Sequence, residues 1–581
     1  MKFTQVAQVF DKIEHISSRL EITQLLADLF KHVSAREIGI ICDLSLGQLH
    51  PPYVATQFNI AEKMMIKVVA QLLNESPEEI RKRAKKVGDL GALVAEGSWR
   101  YTDEMTITQV YHELSAIEQI SGEGAQEEKV NQLHQLLKEL DPISAKFVIR
   151  IVLGKLRLGF SDMTIVDALS WMITGDKSLR GVIEDAYNVC ADIGFIAQQL
   201  KEGGVEALKT LDIQIGIPIR PAAAERLPTA KDIIQKIGPC IAQSKLDGFR
   251  LQIHIDNTGN EPKVHFFSRN LQDMSFMFPD IVKALQQLDV DTIICEGEAI
   301  VYDPHTGSFL PFQETVKRKR KHGIEQAAEE LPLKVFIFDL LYLNGNSFLH
   351  KTHEERRKQL LHVFNKYKGD NVQVIDEQPV NTAQELEDYF IANIAAGLEG
   401  LVVKRPDSVY TPGKRNFNWI KLKRQEEGHL EDTIDCVIVG YYAGKGKRAA
   451  FGIGAFLVAV YNKQEDMFQT IAKIGTGLTD EEWRDLKKKC DALAEKDKPT
   501  NIQCAKELIP DVWVYPELVC SIRADEITLS PLHYAGKTVT QLGYALRFPR
   551  FMGYRTDKSA EEATQVSEIK RLYEDQFKKI N

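Results

Sequence analysis

Between Ile213 and Leu227 the chain reads IQIGIPIRPAAAERL, and no other stretch restricts its fold so strongly. Pro218 and Pro221 fix φ and lack a backbone N–H, so no helix runs through them. Before them, segments such as ITQLLADLFKHV and EEKVNQLHQLLKEL repeat apolar residues at three- and four-residue spacing, the pattern of amphipathic helices. After them come short β-rich runs: GFRLQIHID, KVHFFSRN, DTIICEGEAIVYD, LKVFIFDLLYLNG, GLEGLVVKRPD and FNWIKLKR. These predict an α/β domain with antiparallel sheets. A polar stretch suited to a hinge, QEEGHLEDT (425–433), precedes a third region. There IDCVIVGYYAG, GAFLVAVYN, MFQTIAKIG and DVWVYPELVCSI read as strands between turns, as in a small all-β barrel. A chain of 581 residues exceeds what one core serves, and domains are expected at 1–213, 214–427 and 428–581.

Hydrophobic residues at 44% and charged residues at 27% describe an ordinary globular protein. The N-terminus MKFTQVAQVFDKIEHISSRL has no apolar leader, and no run approaches the ~18–20 apolar residues of a membrane span, so an intracellular protein is expected. The 8 cysteines are scattered singly, which argues against a zinc site or a disulfide framework. A net charge of −9 discourages nucleic-acid binding at first sight, but phosphate contacts depend on local cations. Such clusters occur at VKRKRKH (316–322), KRNFNWIKLKR (414–424) and GKGKRAA (444–450), although a solvated face is the usual fate of a charge run. Arg150, Lys155 and Arg157 lie among apolar residues in AKFVIRIVLGKLRLGFSDMTIVDAL, where they could contact a phosphate backbone or simply snorkel.

The window AQSKLDGFR places Lys245 at the mouth of a strand–turn–strand. Most lysines so placed are solvated turn residues; the alternative is a nucleophilic amine. Other predicted strands supply Arg250, Arg269, Glu296, Glu298, Phe338, Glu399, Arg415, Lys421 and Lys423. Together these residues offer what attack on a nucleotide α-phosphate requires: a nucleophile, cations for phosphate charge, carboxylates for a divalent metal and an aromatic face for a base.

In their order, KLDGFR, SRN, EGE, FDLLYLNG, EGLVVK, WIKLK and RFPR resemble the motifs of ATP-dependent DNA ligases of the archaeal and eukaryotic replicative type. KxDGxR alone is shared with RNA ligases and capping enzymes. The helical N-terminal region through GKLRLGFSD, and the C-terminal GKGKRAAFGIGAF, KIGTG and ALRFPRF, extend the likeness over nearly the whole chain. The resemblance implies a helical DNA-binding domain, a nucleotidyltransferase domain and an OB-fold domain. It implies ATP as AMP donor, Mg²⁺, and nicked duplex DNA as partner. A sliding clamp is a candidate second partner, and the protein is expected to be a monomer in the cytoplasm, associated with the nucleoid.

Carried onto this sequence, the resemblance has Lys245 take AMP onto Nζ and Phe338 stack on adenine. Arg250 and Arg269 would contact ribose and phosphate, and Glu298 and Glu399 the sugar or Mg²⁺. Arg415, Lys421 and Lys423 would bind the triphosphate, and Arg547 and Arg550 would approach it on closure. Gln243 stands where these enzymes usually carry Glu, and Ser244 where an aromatic residue is common. A carboxylate only accepts hydrogen bonds, whereas an amide accepts or donates, so this position leaves the choice of base open. On this reading Gln243→Glu should preserve activity and sharpen the preference for ATP. The segment FMGYRTDKS after RFPR is also less basic than the resemblance leads one to expect.

Overall fold

The structure is a computed structural model. It describes every residue except Ala55, Asp103, 304–308, 311–313, 316, 319–322, 424–432, 445 and 579–581. The expected hinge QEEGHLEDT, apart from Thr433, and most of VKRKRKH therefore lie outside the described residues. The chain divides into two compact units, Met1–Leu73 with Gly97–Arg424, and Asn74–Glu96 with Gln425–Asn581.

In the first unit, helices run from Phe3–Glu14 to Ile193–Lys209. Several begin at capping boxes, such as Ser34 with Glu37 and Thr106 with Gln109, which satisfy the first free N–H groups reciprocally. The phosphate-contact reading of Arg150 is corrected here. Arg150 is buried in the helix Pro142–Val152 and forks onto Glu14 at 2.8 and 3.0 Å. Lys155 and Arg157 are not on a helix at all, because Gly154 (φ 64°) and Arg157 (φ 67°) turn the backbone left-handed.

The central region builds two sheets. The first has the order β1-β11-β10-β2-β9, from β1 (Ala223–Arg226), β2 (Cys240–Lys245), β9 (Glu377–Val380), β10 (Gly400–Lys404) and β11 (Arg415–Lys423). The second has β3 (Phe249–Asp256), β4 (Lys263–Ser268), β5 (Thr292–Val301), β6 (Leu333–Leu343) and β7 (Asn346–Ser347) in the order β4-β3-β5-β6-β7, with β8 (Val372–Val374) beside β6. Strand alternation sends Ala242, Leu401, Val403, Ile420 and Leu422 to one face of the first sheet, where they pack on the helices Ala230–Ile237 and Ala383–Ala395. Leu251, Ile253, Cys295, Val335 and Ile337 do the same for the second. The other faces meet across Trp419, Tyr410, Ile294 and Leu341, with Lys404 and Arg250 reaching from one sheet to the other.

In the second unit, β12 (Ile434–Tyr442), β13 (Ala455–Asn462) and β14 (Met467–Ile474) form consecutive antiparallel neighbours, and β18 (Val519–Arg523) and β21 (Arg550–Tyr554) extend the sheet. β19 (Glu526–Ser530) pairs with β20 (Gly543–Arg547). The domain is β-rich but carries two helices, Asp480–Ala492 and Val566–Lys578. Thr479 and Glu482 form a capping box on the first, a start signal legible in LTDEEW. The helices Pro77–Val87 and Leu90–Ala95 also belong to this unit, Lys85 Nζ lying 3.4 Å from Asp511.

Candidate active site

Lys245 is the last residue of β2, and the turn after it is not a hairpin. β2 pairs with β9 and β10, whereas β3 pairs with β4 and β5, so the LDG turn carries the chain from one sheet to the other. Gly248 is required there, since a Cβ would sit 2.4 Å from the Ala299 carbonyl oxygen. Gly400 opposite Lys245 is equally constrained, with φ 141° and a Cβ position 2.2 Å from the Leu422 carbonyl. The register aligns Lys245, Gly400 and Lys423 in one row, and Gln243, Val402 and Lys421 in the next, all on the polar face.

Glu399, just before β10, accepts hydrogen bonds from both Lys245 Nζ and Lys423 Nζ. Burial alone would raise its pKa, but the two ammonium groups override it and hold the carboxyl below its usual value. Glu298 on β5 differs. Burial pushes it up to about 7 despite Lys245 and Arg250 nearby, and the Gly248 N–H donates to it. Lys421 is lowered, first by burial and then by the charges of Lys423, Arg415, Arg269 and Lys245. The expected phosphate-binding cations of β11 therefore act electrostatically on one another and on Arg269 after β4 and Lys245 of β2.

Arg250 donates to both oxygens of Glu296 at 3.0 Å and to the Ala222 carbonyl at 2.9 Å and lies over the rings of Phe338 and Trp419 at 5.4 and 5.5 Å, while its Nε is buried without a partner. Glu296 is buried and also accepts from Tyr410 Oη at 2.9 Å. Phe338 is half-buried and meets Trp419 edge-on at 6.0 Å. Beneath it lies a buried ionic network that the sequence did not reveal. Asp339 takes a forked bond from Arg356 at 2.7 and 3.0 Å, and Lys404 Nζ lies 3.7 Å from Asp339 and donates to the Phe338 carbonyl at 2.9 Å. A charge inside the apolar runs FIFDLLYL and LVVKR was the available signal, because buried charges occur paired.

Gln243 is 2% exposed, and its Nε2 donates to Glu377 Oε1 at 2.6 Å. The same oxygen contacts His353 Nε2 at 2.8 Å. No local pattern marks Glu377 or His353; only the pairing of β2 with β9 and the helix His353–Phe364 bring them together. A carboxylate at 243 would therefore face that of Glu377, which corrects the expectation for Gln243→Glu. Ser244 points to the other face, 3.4 Å from Tyr389 Oη. Arg269 and Arg415 are exposed, Arg269 lining a cavity of about 300 Å³ with Arg220 and Asp162. Arg547 and Arg550 belong to the second unit, where Arg547 pairs with Glu526 and Arg550 with Asp525 at 3.4 Å. Of VKRKRKH, Arg318 is buried against Asp280 at 2.6 Å and is not an open phosphate contact, while Lys317 is exposed and pairs with Glu314.

A lysine amine at the junction of two sheets, among converging cations and two carboxylates, defines a nucleotidyltransferase. Family models agree, with the DNA ligase N terminus matching residues 2–170, the ATP dependent DNA ligase domain 221–423 and the ATP dependent DNA ligase C terminal region 449–558. A probable DNA ligase of Dictyoglomus turgidum is 45% identical over 580 residues, covering 100% of this chain and 98% of the relative. A DNA ligase of Acidianus ambivalens is 38% identical over 600 residues, covering 100% and 98%. A solved structure named Pmar-Lig_PreS3 shares the fold, with a TM-score of 0.56 at 16% identity, covering 95% of this chain and 99% of that one. The chain belongs to the ATP-dependent DNA ligase family, enzymes that form phosphodiester bonds with ATP as the AMP donor. Among the described residues no helix is long and apolar enough to cross a membrane.

Proposed function

We propose that Lys245 is the nucleophile that carries AMP during ATP-dependent nick sealing. The observation behind this is its contact with Glu399, which also holds Lys423 from the adjacent strand. An ammonium cannot attack phosphorus, so Lys245 must give up its proton to solvent and leave its ion pair with Glu399 before Nζ attacks. Attack by Nζ on the α-phosphate expels pyrophosphate and leaves lysyl-AMP. The AMP then passes to the 5′-phosphate of a nick, and the 3′-hydroxyl displaces it. Lys421, Lys423, Arg415 and Arg269 would balance phosphate charge, and the protein's contribution is positioning and electrostatic stabilisation.

Glu298 and Glu399 fit Mg²⁺, which takes one or two carboxylates together with substrate phosphate oxygens. Glu298 in particular is a carboxyl near Lys245 and Arg250 with no ion pair of its own among the described residues. Bound there, the ion would neutralise phosphate charge. Phe338 would present its ring to adenine. The domain limits 1–213, 214–427 and 428–581, a monomeric state, a cytoplasmic, nucleoid-associated location and a sliding-clamp partner complete the proposal.

Sealing of a labelled nicked duplex with ATP, ADP, GTP and NAD⁺ supplied separately tests it, together with transfer of label to protein. Lys245→Ala should abolish both. An AMP adduct that survives on that variant in a denaturing gel would move the nucleophile elsewhere.

A further inference from the structure

Gln243 carries a group that can either accept or donate toward a base, and the structure removes the ambiguity. Gln243 and Glu377 are register partners on β2 and β9, with β9 at the edge of the sheet. The 2.6 Å bond draws the amide nitrogen toward that edge. The two polar atoms of an amide diverge from one carbon, so Oε1 is turned away from that edge, to the side where Val402 is the register partner of Gln243.

The direction of this bond is set by Glu377. Its carboxyl is held below the usual value: burial would raise it, but His353, Lys404 and Arg357 outweigh that, so it is ionised and only accepts. Burial and Lys404 lower His353, so its ring is neutral at pH 7. His353 Nδ1 is buried without a partner, which puts the ring proton on Nε2, donating to Glu377. Arg357 Nε lies 3.5 Å from the other oxygen. Three donors therefore converge on one acceptor, and a flipped Gln243 amide would set its oxygen against that carboxylate.

We propose that Glu377 is a positioning residue for nucleotide choice: it fixes the Gln243 amide so that Oε1 accepts from the exocyclic amino group of adenine and repels the carbonyl that guanine carries at the same place. This rests on the reading that the pocket receives the base of ATP. The position that a carboxylate would fill with two acceptors is filled here by a neutral amide whose orientation is imposed from the neighbouring strand.

The test measures kcat/KM for adenylation and guanylation of Lys245 in the wild type, Glu377→Leu, and the exchange variant that combines Gln243→Glu with Glu377→Gln, with thermal melting of each. Glu377→Leu removes the acceptor, and the ATP:GTP ratio should fall at least tenfold. In the exchange variant the amide introduced at position 377 donates to the carboxylate introduced at position 243, whose second oxygen remains an acceptor, and the ratio should stay within about threefold of wild type. An equal loss for both nucleotides in Glu377→Leu, or an unchanged ratio, would overturn the inference by reducing Glu377 to a packing residue. Should Glu377→Leu not fold, the exchange variant decides: a kept ratio supports the assignment and a lost one refutes it. A wild-type protein that labels Lys245 with neither nucleotide would refute the activity reading itself, and this inference with it, an outcome separable from a labelled enzyme whose selectivity ignores Glu377.

Discussion

Asp339→Asn tests the ionic network beneath the nucleotide site. The wild-type carboxylate answers two buried cations: Arg356, 0% exposed, through a fork at 2.7 and 3.0 Å, and Lys404, 0% exposed, at 3.7 Å. With Asn in its place, Arg356 keeps one amide oxygen at position 339 and the carbonyls of Lys351 and Ser408 at 2.8 and 3.1 Å, and Lys404 keeps that of Phe338 at 2.9 Å, but the balancing negative charge is gone. Removing one partner of a buried pair costs about 3–5 kcal/mol, because a desolvated charge is left behind. Lys404 limits this cost. Burial already lowers it to about 8 against the attraction of Asp339, so in the variant it sheds its proton near neutral pH. The expected loss at pH 7 is therefore near the lower end, about 3 kcal/mol. It should shrink as pH rises through about 8, because there the wild-type Lys404 discharges too and its pairing with Asp339 is lost in both proteins. Urea unfolding of both proteins, followed by circular dichroism at pH 7 and pH 9, reads the difference. A loss under about 1 kcal/mol at pH 7, or one that does not fall at pH 9, would refute the reasoning and mean that water screens these charges.

Three further outcomes are expected. Lys245→Arg should fail to self-adenylate as completely as Lys245→Ala, since a guanidinium stays protonated at any working pH; label on the Arg variant would contradict this. Glu298 has its pKa raised from 4.5 to about 7, so its contribution to stability is fully present below pH 4.5 and is lost as pH rises through about 7. At most about 3 kcal/mol is involved, less where the half-buried carboxyl reaches water. Glu298→Gln should flatten that part of the urea-midpoint profile, and superimposable profiles would disprove it. Arg547→Ala should slow lysyl-AMP formation by roughly 100-fold while still sealing a nick supplied already adenylated, the scale for losing a charge-stabilising donor. Equal loss on both substrates would point to a general defect.

The sequence by itself determined the succession of a helical region, an antiparallel α/β region and a β-rich region, because period and proline placement are local properties. Motif order was equally legible, and strand register then brings Lys245 and Lys423 onto Glu399, with Lys421 one row away. What a local pattern cannot carry is the partner of a buried charge. Arg150 looked like a surface cation until Glu14, over a hundred residues earlier, took it as a fork. Nor does the KLDGFR pattern carry the partners of Arg250, which are Glu296 from β5 and the Ala222 carbonyl. Gln243 was ambiguous in sequence because an amide has two faces. Its orientation is decided by Glu377, which arrives from 134 residues away on an edge strand, and a hydrogen bond between strands so far apart in the chain exists only once the sheet has closed.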